Sequence, residues 1–236
     1  MKLTLIAEGS TKWQRLMRRW GVSYLIGEDV LFDTFGAAKV FMANLSRMKI
    51  NTSKIQHIVI SHDHWDHLSG LWPFLEKHKS VTVYICPGSG KAIKEKLTAT
   101  GAEVVEVNAP REIGDGIYTT GLVRGIYNNE AVEEQAIVVK TRQGLVLVTG
   151  CAHPGIINIL DKVAKDFGQP VFWVMGGMHL KDSTASDIKI VVDELKRVGV
   201  ERVSPMHCTG IAATGFIKES FGKNCILVQE GSSVDL

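Results

Sequence analysis

Short apolar runs alternate with longer stretches of helical spacing along the whole chain. The runs Leu3–Ala7, Ser23–Ile26, Val30–Asp33, His57–Ser61, Val81–Cys86 and Glu103–Val107 predict strands. So do Ile117–Ile126, Ala136–Thr141, Leu145–Thr149, Val171–Met175, Arg202–Met206 and Ile226–Gln229. Between them, apolar residues recur at helical intervals over Ala38–Met48, Leu68–His78, Gly90–Thr100, Ile156–Phe167, Ala185–Val198 and Gly210–Phe221. Alternating strands and helices predict a layered α/β fold. With only 6 prolines and no Ser-rich or Gly-rich linker, residues 1–236 read as a single domain.

The pattern also repeats weakly. A hairpin around Gly27, Glu28 and Asp29 ends in Asp33, and a helix then leads to a strand ending in His62. In the second half, a hairpin around Arg142, Gln143 and Gly144 ends in Cys151, and a helix leads to a strand followed by His179. The intervals are nearly equal. Two pseudo-repeated halves, roughly 1–115 and 116–236, would form two facing mixed sheets with helices on the outer faces, an αββα sandwich whose strand ends share one edge.

Composition narrows the partners. Hydrophobic residues are 45% and charged residues 22% of 236, ordinary globular usage that excludes collagen-like and disordered classes. Lys plus Arg is 27 against 25 for Asp plus Glu, and a balance of +2 gives no global field for a polyanion, so nucleic acid is not an expected partner. Leu3–Ala7 is too short for a signal-peptide core and no apolar run reaches membrane length, so the expectation is a cytoplasmic protein with no membrane contact. The four cysteines lie far apart without a Cys-x-x-Cys pair, which points to reduced thiols. Nothing in the pattern bears on oligomeric state.

Chemistry concentrates where a strand meets a helix. His62, Asp63, His64, Trp65, Asp66 and His67 follow His57–Ser61 directly and precede the helical pattern. Imidazole suits zinc, copper, iron or nickel, and a carboxylate adds charge compensation for a divalent ion. On extended backbone His62 and His64 point the same way and could grip one ion, while Asp66 and His67, at the helix entry, could turn toward a second.

This stretch resembles the His-x-His-x-Asp-His signature of the metallo-β-lactamase superfamily, and Leu31-Phe32-Asp33-Thr34 is similar to its strand-end Asp motif. The resemblance implies the αββα sandwich over essentially the whole chain, with a dinuclear metal site at one edge. Thr149-Gly150-Cys151-Ala152-His153-Pro154-Gly155, Gly176-Gly177-Met178-His179-Leu180 and Pro205-Met206-His207-Cys208-Thr209-Gly210 resemble the subgroup that includes the archaeal dihydropterin-type synthase of methanopterin biosynthesis and many metal-dependent hydrolases.

Carried over position by position, the resemblance implies that His62 and His64 bind a first metal and Asp66 and His67 a second. Most members use an Asp at the strand end to bridge both, and this chain has Cys151 there. His153 is then assigned to the first metal and His207 to the second. Cys151 is either a thiolate ligand replacing the missing carboxylate or a small buried residue. The expected cofactors are two divalent ions, zinc foremost, with iron or manganese as alternatives.

The functional expectation is a hydrolase acting on a small anionic metabolite through a metal-activated water, with Asp66 steering the proton and His179 binding an anion or shuttling a proton. The alternatives are a metal-dependent transferase or synthase of the dihydropterin type and a non-catalytic metal-dependent ligand-binding module. Lys12, Arg15, Arg18 and Arg19, interleaved with Trp13 and Trp20, are either a solvated face or a binder of an anionic, ring-bearing substrate or a nucleic-acid backbone. Asp33 and Thr34 are expected to orient the ligand loop by hydrogen bonds. His57, His78 and the cysteines 86, 208 and 225 are expected to stay outside the metal shell.

Overall fold

The computed structural model describes residues 1–236. The first half builds β1 (Lys2–Gly9), α1 (Lys12–Leu16), β2 (Gly21–Ile26), β3 (Val30–Phe32), α2 (Ala38–Arg47), β4 (His57–Val59), α3 (Trp65–Leu68), α4 (Leu71–Lys77), β5 (Thr82–Ile85), α5 (Lys91–Thr100) and β6 (Glu103–Glu106). There follow β7 (Arg111–Gly114), β8 (Ile117–Thr119), β9 (Val123–Tyr127), β10 (Glu130–Glu134), β11 (Ile137–Thr141), β12 (Gly144–Thr149), α6 (Ile156–Phe167), β13 (Val171–Gly176), α7 (Ala185–Arg197), β14 (Arg202–Pro205), α8 (Ile211–Phe221) and β15 (Ser233–Asp235). No helix is long and apolar enough to cross a membrane.

Two mixed sheets result, in the orders β15-β1-β2-β3-β4-β5-β6 and β14-β13-β12-β11-β8-β7, with β9 and β10 forming a separate ribbon. Strand alternation sets the layers. Phe32, Val146, Val148 and Met175 point into the core between the sheets with Tyr24 and Trp173. Their neighbours Leu145, Leu147 and Val174 face outward against Ile159 and Leu160 of α6, Val192 and Leu195 of α7 and Ile217 of α8. On the opposite outer face, Leu31, Ile58 and Val83 pack against Phe41 of α2, Phe74 of α4 and Leu97 of α5. Burying each large side chain of this kind stabilises by about 1.5–3 kcal/mol, and the outcome is the αββα sandwich.

β7, β10 and β15 lie outside every predicted run, and three predicted elements take a different form. Ile117–Ile126 reads as one strand but divides into β8 and β9, because Gly121 turns at φ 68 and its α-carbon packs against the Ala109 backbone. Leu68–His78 reads as one helix, but the chain forms α3 and then α4 on either side of Gly70, whose missing side chain admits the Thr34 carbonyl and the Phe41 ring. Ile226–Gln229 is not a strand; the chain makes a single bridge at Cys225 to Val203 and returns to the first sheet as β15 beside β1.

Site placement follows from strand direction. β3 pairs parallel with β4, and β12 with β13 and β13 with β14 in the same sense. Ligands in such sheets collect beyond the carboxyl ends of parallel strands. Asp33, His62, Cys151, His179 and His207 all lie just past those ends.

Candidate metal centre

The loop after β4 carries the densest chemistry. His64 is the extended residue that caps α3, whose single turn presents Asp66 and His67. Thr34 holds that turn: its backbone N–H and its Oγ1 both donate to the His67 carbonyl, at 2.7 and 3.0 Å. His62 Nε2 lies 3.0 Å from His64 Nδ1, and both rings pack edge-on against His153 with centroids 4.6 and 4.9 Å away. The candidate donor atoms of His62, His64 and His153 all lie within 4.8 Å of one another.

A second set adjoins the first. Asp66 Oδ2 is 3.4 Å from His67 Nε2 and 3.5 Å from His207 Nε2. Cys151 Sγ is 3.2 Å from the same His67 nitrogen, which puts the thiol against both sets. The sequence-derived candidates therefore converge: His62, His64, Asp66, His67, Cys151, His153 and His207 form one buried cluster, with His64 at its exposed rim.

Hydrogen bonds aim these rings. The Gly9 carbonyl can only accept, so its 2.8 Å contact places a proton on His207 Nδ1 and turns Nε2 toward Asp66. That Nε2 atom is buried and makes no hydrogen bond. A buried polar atom without a partner is costly, and a cation bound between His207 and Asp66 would satisfy it. The donor chemistry fits as well, since nitrogen, carboxylate oxygen and sulfur are the usual zinc set and iron or manganese accept the first two. Asp33 acts as the sequence suggested: Oδ1 accepts from Ser61 N at 2.7 Å, and Oδ2 accepts from Ser61 Oγ at 2.8 Å and from His67 Nδ1 at 2.6 Å.

Electrostatics separate the two sets. Burial, then the neighbouring His67, pushes His62 well below the ordinary histidine value, and burial, then His153, lowers His64, which favours the neutral imidazole at both. Burial also opposes a charge on His67, yet the Asp33 and Asp66 carboxylates raise its pKa well above normal. Asp66, against its own burial, is held far below the carboxylate range by His67 and His207. The carboxylates thus draw positive charge to this spot, a demand that a proton or a divalent ion can meet.

His179 stands apart from these sets. It lies at φ 51, with its ring 4.5 Å from His153 and 4.6 Å from Tyr127, and burial drives its pKa down to about 4. It lines a cavity of about 310 Å³ whose floor includes His64, Asp66, Cys151 and His153. Arg15 and Lys181 bring positive charge to the walls, and Trp20, Trp65 and Tyr127 bring aromatic surface. In the basic segment, Trp20 is buried against His207 while Trp13 is 75% exposed, and Arg18 lies over Trp65 at 5.3 Å. His57 bonds Tyr84 and His78 packs on Phe74, both away from the centre. Cys208 is buried beside Cys151, closer to the cluster than its sequence setting implied.

Several residues here carried no sequence signal that separated them from surface polar positions. Glu134 is fully buried and accepts four hydrogen bonds from the turn after β12. Tyr127 reaches the cavity from the ribbon, and Glu8 accepts the His207 backbone N–H at 2.9 Å. Only the position of Glu134, an acidic residue two positions before the apolar run that opens at Ala136, offered a hint.

A family model described as the metallo-β-lactamase superfamily matches residues 21–207. The chain belongs to that superfamily. The chain is 28% identical to the 7,8-dihydropterin-6-methyl-4-(β-D-ribofuranosyl)-aminobenzene-5'-phosphate synthase of Methanocaldococcus jannaschii, over 85% of this chain and 84% of that one. It is also 28% identical to an uncharacterised protein of the same organism, MJ0448, over 86% of this chain and 89% of that one. The crystal structure of Tm1679, a metal-dependent hydrolase of the superfamily, superposes with a TM-score of 0.79 at 27% identity, covering 100% of this chain and 99% of the other.

Proposed function

We propose that the chain is a metal-dependent hydrolase of a small anionic metabolite. His62, His64 and His153 would hold one divalent cation, Asp66, His67 and His207 a second, and Cys151 would place its sulfur beside both. One observation carries this reading: a buried carboxylate oxygen of Asp66 sits between two imidazole nitrogens, one of them without a hydrogen-bond partner, at the floor of an open cavity.

Cations bound there would supply the positive charge that lowers the pKa of water and stabilises charge developing on a carbonyl or phosphoryl oxygen. The side chains do the rest. Arg15 and Lys181 bind the substrate's anionic group, and Trp20, Trp65 and Tyr127 offer faces for a ring. Asp66 orients the attacking group and steers its proton by accepting a hydrogen bond on the carboxylate. His179, neutral at physiological pH, donates a hydrogen bond to a substrate oxygen from the cavity wall.

A transfer reaction is the second reading. It is favoured by the similarity to the archaeal synthase, whose name describes a phosphate-bearing aminobenzene riboside joined to a dihydropterin, and by Cys151 at the position where a bridging carboxylate is usual. Isotope labelling separates the two. Zinc-reconstituted protein incubated in ¹⁸O-water with a panel of phosphodiesters, lactones and thioesters should release products carrying one solvent oxygen, and a chelator should stop the release. Turnover that joins two substrates without ¹⁸O incorporation would establish transfer. Tight retention of a ligand with no turnover on the panel would contradict the hydrolase reading and favour a binding module.

A further inference from the structure

Glu134 ends β10 with a fully buried carboxylate. Oε1 accepts from the backbone N–H of Cys151 at 2.9 Å and of Ala152 at 2.8 Å. Oε2 accepts from the backbone N–H of His153 at 2.9 Å and lies 3.1 Å from His153 Nδ1. Three consecutive amides therefore converge on one carboxylate, around a turn in which Ala152 adopts φ 61. The fourth partner is an imidazole. An ionised carboxylate only accepts, so this contact requires the proton on Nδ1 and leaves the Nε2 lone pair free.

The residues on either side of Glu134 are held by the first sheet and its loops. Next to it, Glu133 Oε2 accepts from Gly88 N at 2.6 Å. On the other side, Gln135 Nε2 donates to the carbonyls of Ile60 and Tyr84 at 2.9 and 3.2 Å, and Gln135 N donates to Ser61 O at 2.9 Å. The three residues Glu133, Glu134 and Gln135 thus tie the loops after β4 and β5 to the turn after β12.

We infer that Glu134 is the positioning residue of the first cation set: it fixes the tautomer and ring orientation of His153 and, through the same carboxylate, the backbone that carries Cys151. The inference rests on the proposed reading of His153 as a ligand. Carboxylates that accept the second N–H of a ligating histidine fix its geometry and raise its basicity, and losing one typically weakens metal affinity by about 10–100-fold.

Glu134→Gln is a sharp probe because it preserves shape and replaces one acceptor by an NH₂ donor. Facing Cys151 and Ala152, that NH₂ meets two backbone donors that cannot change. Facing His153, it meets one backbone donor and an imidazole that can move its proton to Nε2. The second arrangement costs less, and it removes the lone pair a cation needs.

The first measurement uses metal-free protein labelled with ¹⁵N-histidine. Long-range ¹⁵N–¹H correlation spectra should show His153 protonated at Nδ1 in the wild type and at Nε2 in Glu134→Gln, with thermal unfolding confirming that the variant is folded. The second is zinc competition against a chromogenic chelator. One of two ions should bind about 10–100-fold more weakly in Glu134→Gln, the other near the wild-type value, and Glu134→Asp should recover part of the loss. A wild-type His153 protonated at Nε2 overturns the inference even if the variant does not fold, and so does unchanged zinc affinity in a folded Glu134→Gln. His153→Ala separates the two layers of the argument. If it binds zinc as tightly as the wild type, the ligand reading of His153 fails; if it loses an ion and Glu134→Gln does not, only the role of Glu134 fails.

Discussion

Asp33 and His67, 34 residues apart in the chain, meet at 2.6 Å in a fully buried contact. The same carboxylate also accepts the backbone and side chain of Ser61, so the end of β3 holds both the start of the ligand loop and the histidine at its far end. Asp33 does this from φ 56, a conformation that Asn tolerates as readily as Asp. Asp33→Asn therefore tests charge without straining the backbone. It should weaken zinc at the Asp66, His67 and His207 set by about 10–100-fold and lower stability by about 1–3 kcal/mol, because the new amide donor meets donors on Ser61 and His67. Zinc competition and urea unfolding of the metal-free variant read the two effects.

Close backbone packing beneath the centre gives a pair of opposite predictions. A Cβ on Gly177 would lie 2.2 Å from the Gly150 carbonyl oxygen and 2.6 Å from Cys208 Sγ. Gly177→Ala should cost about 1–3 kcal/mol as an overpacking change. Gly215, inside α8, has open space around the same position and ordinary helical backbone. Gly215→Ala should stabilise by about 0.4–1 kcal/mol. Denaturant midpoints of both variants check the contrast.

Most of the centre was legible because its residues sit in local patterns. His62, His64, Asp66 and His67 lie between one strand and one helical turn, and Cys151, His153 and His207 follow further strand ends of the same parallel set. The remaining contacts depend on how separate segments meet. Glu134 reaches His153 only because Gln135 and Glu133 pin the ribbon to the first sheet. Gly9 reaches His207 because β1 and β14 end at the same edge, a register that no spacing within either segment encodes. The fold shows the same division. The apolar run Leu145–Thr149 predicted β12 to within one residue, whereas the break at Gly121 comes from contact with Ala109, a residue of a different loop.

Arg15 and Lys181, the latter paired with Asp182, are the cations that line the cavity. Replacing either with Ala should raise KM for an anionic substrate by about 10–100-fold, the loss of one charge-assisted hydrogen bond, and leave kcat and zinc content nearly unchanged. Steady-state kinetics with an anionic and a neutral analogue of one substrate check this, since KM for the neutral analogue should not respond.

Cys151 and His179 both reach the cavity but should separate chemically. Cys151→Ser keeps nearly the same volume while exchanging a soft sulfur for a hydroxyl that resists deprotonation, so metal retention through gel filtration should fall. His179 lies outside the cluster of donor atoms. His179→Gln should keep its metal and instead lower turnover or substrate affinity. Metal analysis of both variants, paired with kinetics, distinguishes these roles. Metal loss in His179→Gln would move that ring into the coordination shell.

The central claim is that two adjacent donor sets each hold a cation. Elemental analysis of the purified chain after zinc reconstitution and removal of free metal tests it most directly. Six side chains in two sets of three, with Cys151 beside both, predict two ions per chain, and a Cys-independent loss of one ion in both His153→Ala and His207→Ala. A content that never exceeds one ion per wild-type chain, at zinc concentrations well above saturation, would contradict the account.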